Sequence, residues 1–204
     1  MERLESLQVR ELTFAQAARI YKEHLKKDFP PAEVKPLLVI RQAWNKGNYH
    51  AYGFYEKVDT QEEALCAYAF FLADNTNRVL LLDYFAVCGP LRGSGYGSLA
   101  LALLRKECAG WNGVIIEVED DELPSLTEET RKTRQRRIAF YKGAGCLMTT
   151  TRSRLWDVDY RIMFMPGLAA QEDMTSNMAE KIRSLYEGMY PAMILKRYFK
   201  ITAE

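Results

Sequence analysis

The chain has 204 residues, of which 48% are hydrophobic and 12% aromatic, so it can bury one sizeable core without metal ions or disulfides. Its 28 Lys and Arg residues nearly balance its 27 Asp and Glu residues, which gives no electrostatic reason to expect nucleic acid or an anionic membrane as partner. The charged N-terminal segment and the lack of a long apolar run predict a cytoplasmic protein with no membrane span.

The cysteines and histidines carry no metal-binding or catalytic pattern. His24 and His50 stand alone, without a partner at ligand or triad spacing, so structural or surface roles are expected for both. The cysteines form no CxxC pair and have no histidine at ligand spacing, which predicts reduced, mostly buried thiols and no metal site. The four cysteines are Cys66, Cys88, Cys108 and Cys146.

The N-terminal part of the chain predicts one strand followed by two helices. A first strand is expected at 6–10, and Thr13 with Gln16 has the spacing of a capping box that opens the first helix. Pro31 suits the first turn of the second helix, which we expect to end near Gly47.

Three runs rich in β-branched and aromatic residues then predict antiparallel strands. The first two flank a polar turn at 59–63, which predicts a hairpin, and the third follows a turn at 74–77. The predicted strands are 49–58, 64–73 and 79–87.

After the third strand the pattern changes to helix, strand, helix and a closing hairpin. The order strand, helix, strand implies a parallel pair joined by a right-handed crossover. A tail of helical composition interrupted by Pro191 follows the hairpin. The predicted ranges are 98–108 for a helix, 114–118 for a strand, 120–130 for a loop, 131–142 for a helix, 146–156 and 159–165 for the hairpin, and 179–199 for the tail.

These elements predict the α/β class. We expect a mixed, mostly antiparallel sheet with one central parallel strand pair and helices on both faces.

The stretch PLRGSGYG at 90–97 lies between a predicted strand and a predicted helix. A helix start carries unpaired N–H groups with a partial positive charge, and glycines let a bulky phosphate approach the backbone closely. The stretch therefore predicts a phosphate-binding loop.

A dinucleotide-binding fold is the alternative explanation of these glycines. Gly93 and Gly95 begin a GxG pattern, and Glu117 or Glu119 lies near the spacing expected of a ribose-binding acid. Against this alternative, the sixth position of the pattern is Ser98, the approach to the loop is long, and no second βαβ half follows.

With Arg92 included, the same residues read Arg-x-x-Gly-x-Gly, which resembles the acetyl-CoA pyrophosphate loop of the GNAT superfamily of N-acetyltransferases. The later segment RRIAFYKGAGC at 136–146 resembles the helix motif of that family, and the order of elements matches over 6–166. The resemblance implies a GNAT domain at 6–166. The segment 167–204 lies outside the resemblance, and we expect it to be a helical extension packed on that domain, which covers the substrate side or mediates self-association as a homodimer.

The resemblance implies that acetyl-CoA is the co-substrate. The backbone of the strand residues Phe85, Ala86 and Val87 would align pantetheine, and the backbone N–H groups of the loop would hold the pyrophosphate. The loop residues are Arg92, Gly93, Ser94, Gly95, Tyr96, Gly97 and Ser98.

The resemblance also implies catalytic roles. Tyr141 falls on the position of the general acid that protonates the departing thiolate, and its alternative role is that of a packing tyrosine. Asp83 and Glu117 are the two candidates for the base that takes the amine proton, directly or through water. For each carboxylate the alternative is a strand-end acid paired with a nearby Arg.

Two positions depart from the family pattern. Arg134 stands where the helix motif often begins with Asn, and Cys146 replaces an aromatic residue. The basic run at 131–137 could reach the 3′-phosphate of CoA, an acidic substrate or nucleic acid. We expect instead a solvated helix face that is balanced by Glu122, Glu128 and Glu129.

The sequence thus predicts direct transfer of an acetyl group to a primary amine, carried by a small molecule or a peptide, with no nucleic-acid or membrane partner. Two alternatives stay open. One is a catalytically silent domain that binds or senses acyl-CoA, and the other is a nicotinamide-dependent oxidoreductase.

Overall fold

The computed structural model describes residues 7–57, 63–168 and 175–202. In that part of the chain the strands are β1 (Gln8–Glu11), β2 (Tyr49–Lys57), β3 (Glu63–Asp74), β4 (Val79–Val87), β5 (Gly113–Glu119), β6 (Leu147–Leu155), β7 (Val158–Pro166) and β8 (Phe199–Thr202). The helices are α1 (Phe14–Ile20), α2 (Lys26–Asp28), α3 (Leu37–Asn45), α4 (Tyr96–Glu107), α5 (Glu128–Gly143), α6 (Met178–Met189) and α7 (Ala192–Tyr198).

The strands form one sheet in the order β1-β2-β3-β4-β5-β7-β6-β8. The sheet is mostly antiparallel and contains one parallel pair, β4 with β5. This confirms the predicted α/β class and the predicted mixed sheet. The seven predicted strands are present with ends shifted by two residues or fewer, while most of the turn predicted at 59–63 lies outside the described residues.

The second predicted helix begins later than expected. Pro31 lies in a turn, and α3 starts at Leu37, directly after Pro36. Proline has no N–H and disfavours helical backbone at the residue before it, here Lys35, so a regular helix cannot run through this position at low cost. A π-helical segment, Tyr21–Leu25, lies between α1 and α2.

Two other helices begin earlier than predicted. α5 starts at Glu128 because Thr127 caps it, with the side-chain oxygen accepting the Thr130 N–H. α4 starts at Tyr96 and not at Ser98, so the loop that precedes it is shorter than the sequence suggested.

The chain divides into two compact units, of which the first contains the described residues up to Ala73 together with Leu82–Glu107. Within it β1, β2 and β3 form an antiparallel meander, with a register shift at Phe54. Its interior is aromatic: Phe54, Tyr68 and Phe70 are completely buried. The hydrophobic aromatic residues of β2 and β3 therefore build the core of this unit.

The second unit contains Asp74–Leu81 and the described residues from Cys108 onward. Here β5 pairs with β7, β7 with β6, and β6 with β8, all antiparallel. The predicted helices of the tail are present on both sides of Pro191, but the tail is not helical throughout, because it ends in the edge strand β8. Composition alone could not show that Phe199–Thr202 pairs with β6.

Over residues 7–57, 63–168 and 175–202, no helix combines the length and the apolar character needed to cross a membrane. The same residues contain no cluster of His, Cys, Asp and Glu suited to a metal ion. All four cysteines are buried and carry no disulfide.

Candidate functional site

The predicted phosphate loop is a glycine-containing turn directly before a helix. β4 ends at Val87, Gly89–Leu91 form one 3-10 turn, and α4 begins at Tyr96. Gly93 and Gly95 have φ angles of 80° and 89°, which residues with a Cβ rarely adopt. A Cβ built on either glycine would meet no other atom within 4 Å. The glycines thus shape the backbone, and the space above them is open to a ligand.

The start of α4 has the properties of an anion site. The first N–H groups of a helix have no acceptor within the helix and carry a partial positive charge. Gly97 and Ser98 lie in this first turn, which contains no acidic residue. Leu99 is the residue whose N–H bonds back to Gly95, at 3.2 Å. Ser94 is exposed, and the first turn itself carries no carboxylate that would repel a phosphate.

The residues on either side of the loop differ in their exposure. Phe85, Ala86 and Val87 are half-buried at the end of β4. Tyr96 is buried, and its hydroxyl donates to Glu56 Oε2 at 2.6 Å. The side chain of Tyr96 therefore anchors the start of α4, and only its backbone belongs to the predicted loop.

Arg92 is held by an acid that the sequence analysis missed. Its Nη2 donates to Asp28 Oδ1 at 2.6 Å, and its Nε donates to the Val87 carbonyl at 3.1 Å. The other oxygen of Asp28 accepts a hydrogen bond from Tyr68 at 2.8 Å, and burial together with this bond raises the pKa of Tyr68. Asp28 lies 64 residues before Arg92 with no local motif around it, so only the folded chain reveals the pair.

Cys88 lies directly before the loop and is buried. Its Sγ is 4.0 Å from His24 Nδ1, on the π-helical segment. Burial raises the pKa of the Cys88 thiol to about 11, so at neutral pH the sulfur is a protonated thiol and not a nucleophilic thiolate.

Asp83, the first candidate base, is part of a buried ion pair. Lys35 Nζ lies 2.5 Å from Asp83 Oδ1, and the Tyr49 hydroxyl donates to Asp83 Oδ2. The side chains of Lys35 and Asp83 are only 13% and 3% exposed. The partner of this strand acid is thus a lysine and not the arginine that was the alternative expectation.

The segment that carries Lys35 is fixed by two tyrosines. The Tyr84 hydroxyl accepts the Lys35 N–H at 2.7 Å and donates to the Glu33 carbonyl at 2.9 Å. The Tyr21 hydroxyl donates to the Lys35 carbonyl at 2.9 Å. Lys35 Nζ also lies 5.3 Å from the centre of the Tyr84 ring. Lys35 therefore has one defined position beside Asp83.

Glu117, the second candidate base, accepts two hydroxyl hydrogen bonds. Ser153 Oγ on β6 donates to Glu117 Oε1 at 2.8 Å, and the Tyr186 hydroxyl on α6 donates to Oε2. The donor residues Ser153 and Tyr186 are 4% and 0% exposed. Tyr186 lies in the tail, outside the range of the resemblance to the GNAT domain, so its pairing with Glu117 could not be expected from the motifs.

Tyr141, the candidate acid, lies near the end of α5 and is 7% exposed. Burial raises the pKa of its phenol, an effect that the positive charge of Arg137 opposes. Its carbonyl accepts the Cys146 N–H at 3.0 Å, which closes the end of the helix. The phenol is therefore neutral over the whole physiological pH range and can serve as a proton donor.

The basic run at 131–137 is used mainly to hold a neighbouring loop. Arg134 binds the Asp120 carbonyl at 2.6 Å and Glu119 Oε1 at 3.1 Å, and Arg137 binds Glu119 Oε2 at 2.7 Å. Arg131 donates to the carbonyls of the same loop. The expected balance by Glu122 is wrong, because that acid pairs with Arg152 and Arg161 on β6 and β7.

A shallow concavity of about 310 Å³ lies at the β6–β7 turn and the tail. It contains none of the predicted site residues. Its lining residues are Arg154, Trp156, Asp157, Arg197, Tyr198 and Lys200.

Sequence comparison gave no protein-family model and no curated protein that matches the chain. Structural comparison gave many matches. A protein assigned to the GNAT acetyltransferases from Bacteroides thetaiotaomicron superposes with a TM-score of 0.65 and 21% identity, over 90% of this chain and 99% of its own.

Two further matches have named activities. The ribosomal-protein-S18-alanine N-acetyltransferase of Escherichia coli has a TM-score of 0.57 and 17% identity, over 82% of this chain and 98% of its own. A spermidine/spermine N-acetyltransferase of Vibrio cholerae has a TM-score of 0.55 and 9% identity, over 80% of this chain and 94% of its own. With its glycine loop between β4 and α4, the chain has the fold of the GNAT acetyltransferases.

Proposed function

We propose that this chain is an acetyl-CoA-dependent N-acetyltransferase that acetylates a primary amine. The observation that carries the proposal is the loop at 92–98, in which two glycines with positive φ precede a helix start free of acidic residues, within the GNAT fold. A dinucleotide-binding fold would need a parallel sheet with two βαβ halves, and the mostly antiparallel sheet does not support one.

The loop residues fit a pyrophosphate. The open space above Gly93 and Gly95 suits close approach of a phosphate, and the first turn of α4 offers N–H donors at Gly97 and Ser98. Arg92 is 56% exposed and uses Nε and one Nη for its two contacts, so a guanidinium with five N–H donors keeps capacity for an anion. When bound, acetyl-CoA would supply an activated thioester.

Glu117 suits the role of base better than Asp83. Protonation of Asp83 would leave the buried ammonium of Lys35 without its counter-charge, and an ammonium has no lone pair with which to accept the new proton. The hydroxyls of Ser153 and Tyr186 can each donate or accept, so they can stay bonded to Glu117 in both protonation states. In the proposed reaction Glu117 takes a proton from the amine, directly or through water.

Tyr141 suits the role of acid. The neutral phenol would give its proton to the thiolate that leaves when the amine displaces it from the acetyl group, so the products are an amide and a free thiol. Burial keeps Tyr141 in the neutral form that carries this proton, while the same raised pKa makes the phenol a weaker acid than a solvated tyrosine.

The test begins with binding. We expect CoA and acetyl-CoA to raise the melting temperature, because a ligand that binds only the folded chain stabilises it, and NAD to have no effect. Transfer is then measured by mass spectrometry with acetyl-CoA and a panel of amines. The panel includes a peptide with an N-terminal alanine and spermidine, after the proteins of similar fold. Stabilisation by NAD alone would refute the proposal.

One observation favours a second candidate, the silent acyl-CoA-binding domain. Both oxygens of Asp83 and both oxygens of Glu117 already accept hydrogen bonds within the protein. If neither carboxylate can exchange a bond for the acceptor amine, the chain would bind acyl-CoA without turnover. Tight CoA binding with no product from any amine would identify this function.

A further inference from the structure

One tyrosine of the tail is buried and contacts the sheet. Tyr186 is completely buried on α6, and its hydroxyl donates to Glu117 Oε2 on β5. The two residues are 69 positions apart. A polar hydroxyl at 0% exposure is costly unless it is hydrogen-bonded, so this contact fixes where α6 lies against β5 within the second unit.

The second donor to Glu117 is also supported by the tail. Ser153 lies on β6, opposite Ile201 of β8 on one side and opposite Tyr160 of β7 on the other. The edge strand β8 therefore covers the strand that carries Ser153. Both hydroxyls that hold the carboxylate depend on the tail, one by belonging to it and one by pairing with it.

Packing around Tyr186 leaves little freedom to its ring. The centroid of the ring lies 5.1 Å from that of Phe199 on β8 and 6.1 Å from that of Tyr190. Ile182 and Leu185 on the same helix are buried as well. The ring is thus held between two aromatic neighbours, an arrangement that orients its hydroxyl toward a hydrogen-bonded partner.

We propose that Tyr186 is a positioning residue for Glu117, and that the tail at 175–202 is therefore part of the catalytic centre. This inference rests on the proposed function and names the element that prepares its base. Two hydroxyls on the two oxygens fix the plane of the carboxylate and stabilise its charged form before the amine arrives. The other explanation of the same contact is a hydrogen bond that only docks the tail.

A double-mutant cycle distinguishes the two explanations. Tyr186→Phe keeps the ring and removes the hydroxyl, and Glu117→Gln removes the base. The rate constant of acetyl transfer is measured in single turnovers at saturating acetyl-CoA for both variants and for the double variant, with thermal stability and CoA affinity measured in parallel. Tyr198→Phe, which removes another hydroxyl of the tail, is the matched control.

If Tyr186 acts through Glu117, Tyr186→Phe lowers the rate constant about tenfold or more with CoA affinity unchanged, and has no further effect in the Glu117→Gln background. Tyr198→Phe leaves the rate constant within about twofold of wild type. An unchanged rate in Tyr186→Phe, or an equal fractional loss in both backgrounds, overturns the inference while leaving the proposed function intact.

Two further outcomes are informative. If Tyr186→Phe does not fold, Ser153→Ala replaces it in the same cycle, because it removes the donor to the other oxygen of Glu117. If the wild-type chain transfers no acetyl group to any amine, the proposed function fails and the positioning role of Tyr186 is refuted with it.

Discussion

The ammonium of Lys35 lies 2.5 Å from the carboxylate of Asp83, and the exposed fractions of the two side chains are 13% and 3%. Tyr49 donates to the other carboxylate oxygen, so the charge of Asp83 is compensated inside the protein. A buried pair of this kind contributes little net stability when it is intact, but removal of one partner leaves an isolated charge. Asp83 is thus under a structural constraint that does not depend on catalysis.

Asp83→Asn is expected to lower the free energy of unfolding by about 3–5 kcal/mol, because it leaves the Lys35 ammonium buried without a counter-charge. Lys35→Met combined with Asp83→Leu removes both charges and should recover most of that loss. Urea denaturation of the wild type and of these two variants measures the effect. A loss below about 1 kcal/mol in Asp83→Asn would show that solvent reaches the ammonium.

Gly95→Ala is expected to weaken CoA binding at least tenfold, since its methyl group would occupy the open space above the loop. The change also strains the backbone at a φ of 89° by about 1–2 kcal/mol. Gly47→Ala is the matched control, because Gly47 has a φ of 73° and equally open surroundings but lies after α3. Equal CoA affinity in the two variants would contradict the loop assignment.

Arg134→Ala is expected to reduce stability by about 1–3 kcal/mol, because it leaves Glu119 and the Asp120 carbonyl short of a donor. Arg136→Ala, at an exposed position on the same helix, should change stability by less than about 0.5 kcal/mol. Neither variant should alter the ratio of CoA to dephospho-CoA affinity. A selective loss of CoA binding in Arg134→Ala would instead assign this arginine to the 3′-phosphate.

Cys88 should make the folded state less stable at high pH. Its folded pKa of about 11 exceeds the ordinary thiol value of 9.0, so its contribution is fully present below pH 9 and is lost as the pH rises through 11. Ionisation of this thiol lowers the free energy of unfolding by about 2 kcal/mol. Chemical denaturation between pH 8 and 11, compared with Cys88→Ala, measures it. Parallel pH profiles for the two proteins would contradict the burial of the thiol.

The sheet could be predicted from the sequence because its strands have dense β-branched and aromatic runs separated by clear turns. β4 is the clearest example, since the predicted range 79–87 is the observed one. The glycine loop was also predictable, because Gly93 and Gly95 mark backbone angles that few other residues tolerate. Helix starts were less predictable, as Pro36 and Thr127 show, because one residue decides each of them.

The partners of the site residues could not be predicted. Asp28 with Arg92, Lys35 with Asp83 and Tyr186 with Glu117 are separated by 64, 48 and 69 positions, and none belongs to a local pattern. Such pairs depend on which elements pack together, and the spacing of residues along the chain carries no direct signal for that packing.

The role of Tyr141 decides whether the site performs acid catalysis. Burial raises the pKa of its phenol, so the group keeps its proton at every pH at which the protein would work. Because Phe has the same ring without the hydroxyl, Tyr141→Phe is expected to leave the packing and CoA affinity nearly unchanged. If the phenol protonates the leaving thiolate, the rate constant for acetyl transfer falls by roughly a hundredfold or more.

A tyrosine that only packs predicts the opposite result. Its replacement by Phe would cost about 1 kcal/mol of stability at most and leave the rate constant intact. Single-turnover transfer, CoA affinity and thermal stability are therefore measured on the same variant, with an amine that the wild type accepts. Phe140→Leu, at the neighbouring position of α5, is the control for altered packing, because the centroids of the Phe140 and Tyr141 rings are 5.1 Å apart. A rate lost in Tyr141→Phe but kept in Phe140→Leu would assign the loss to the hydroxyl and not to the fit of the ring.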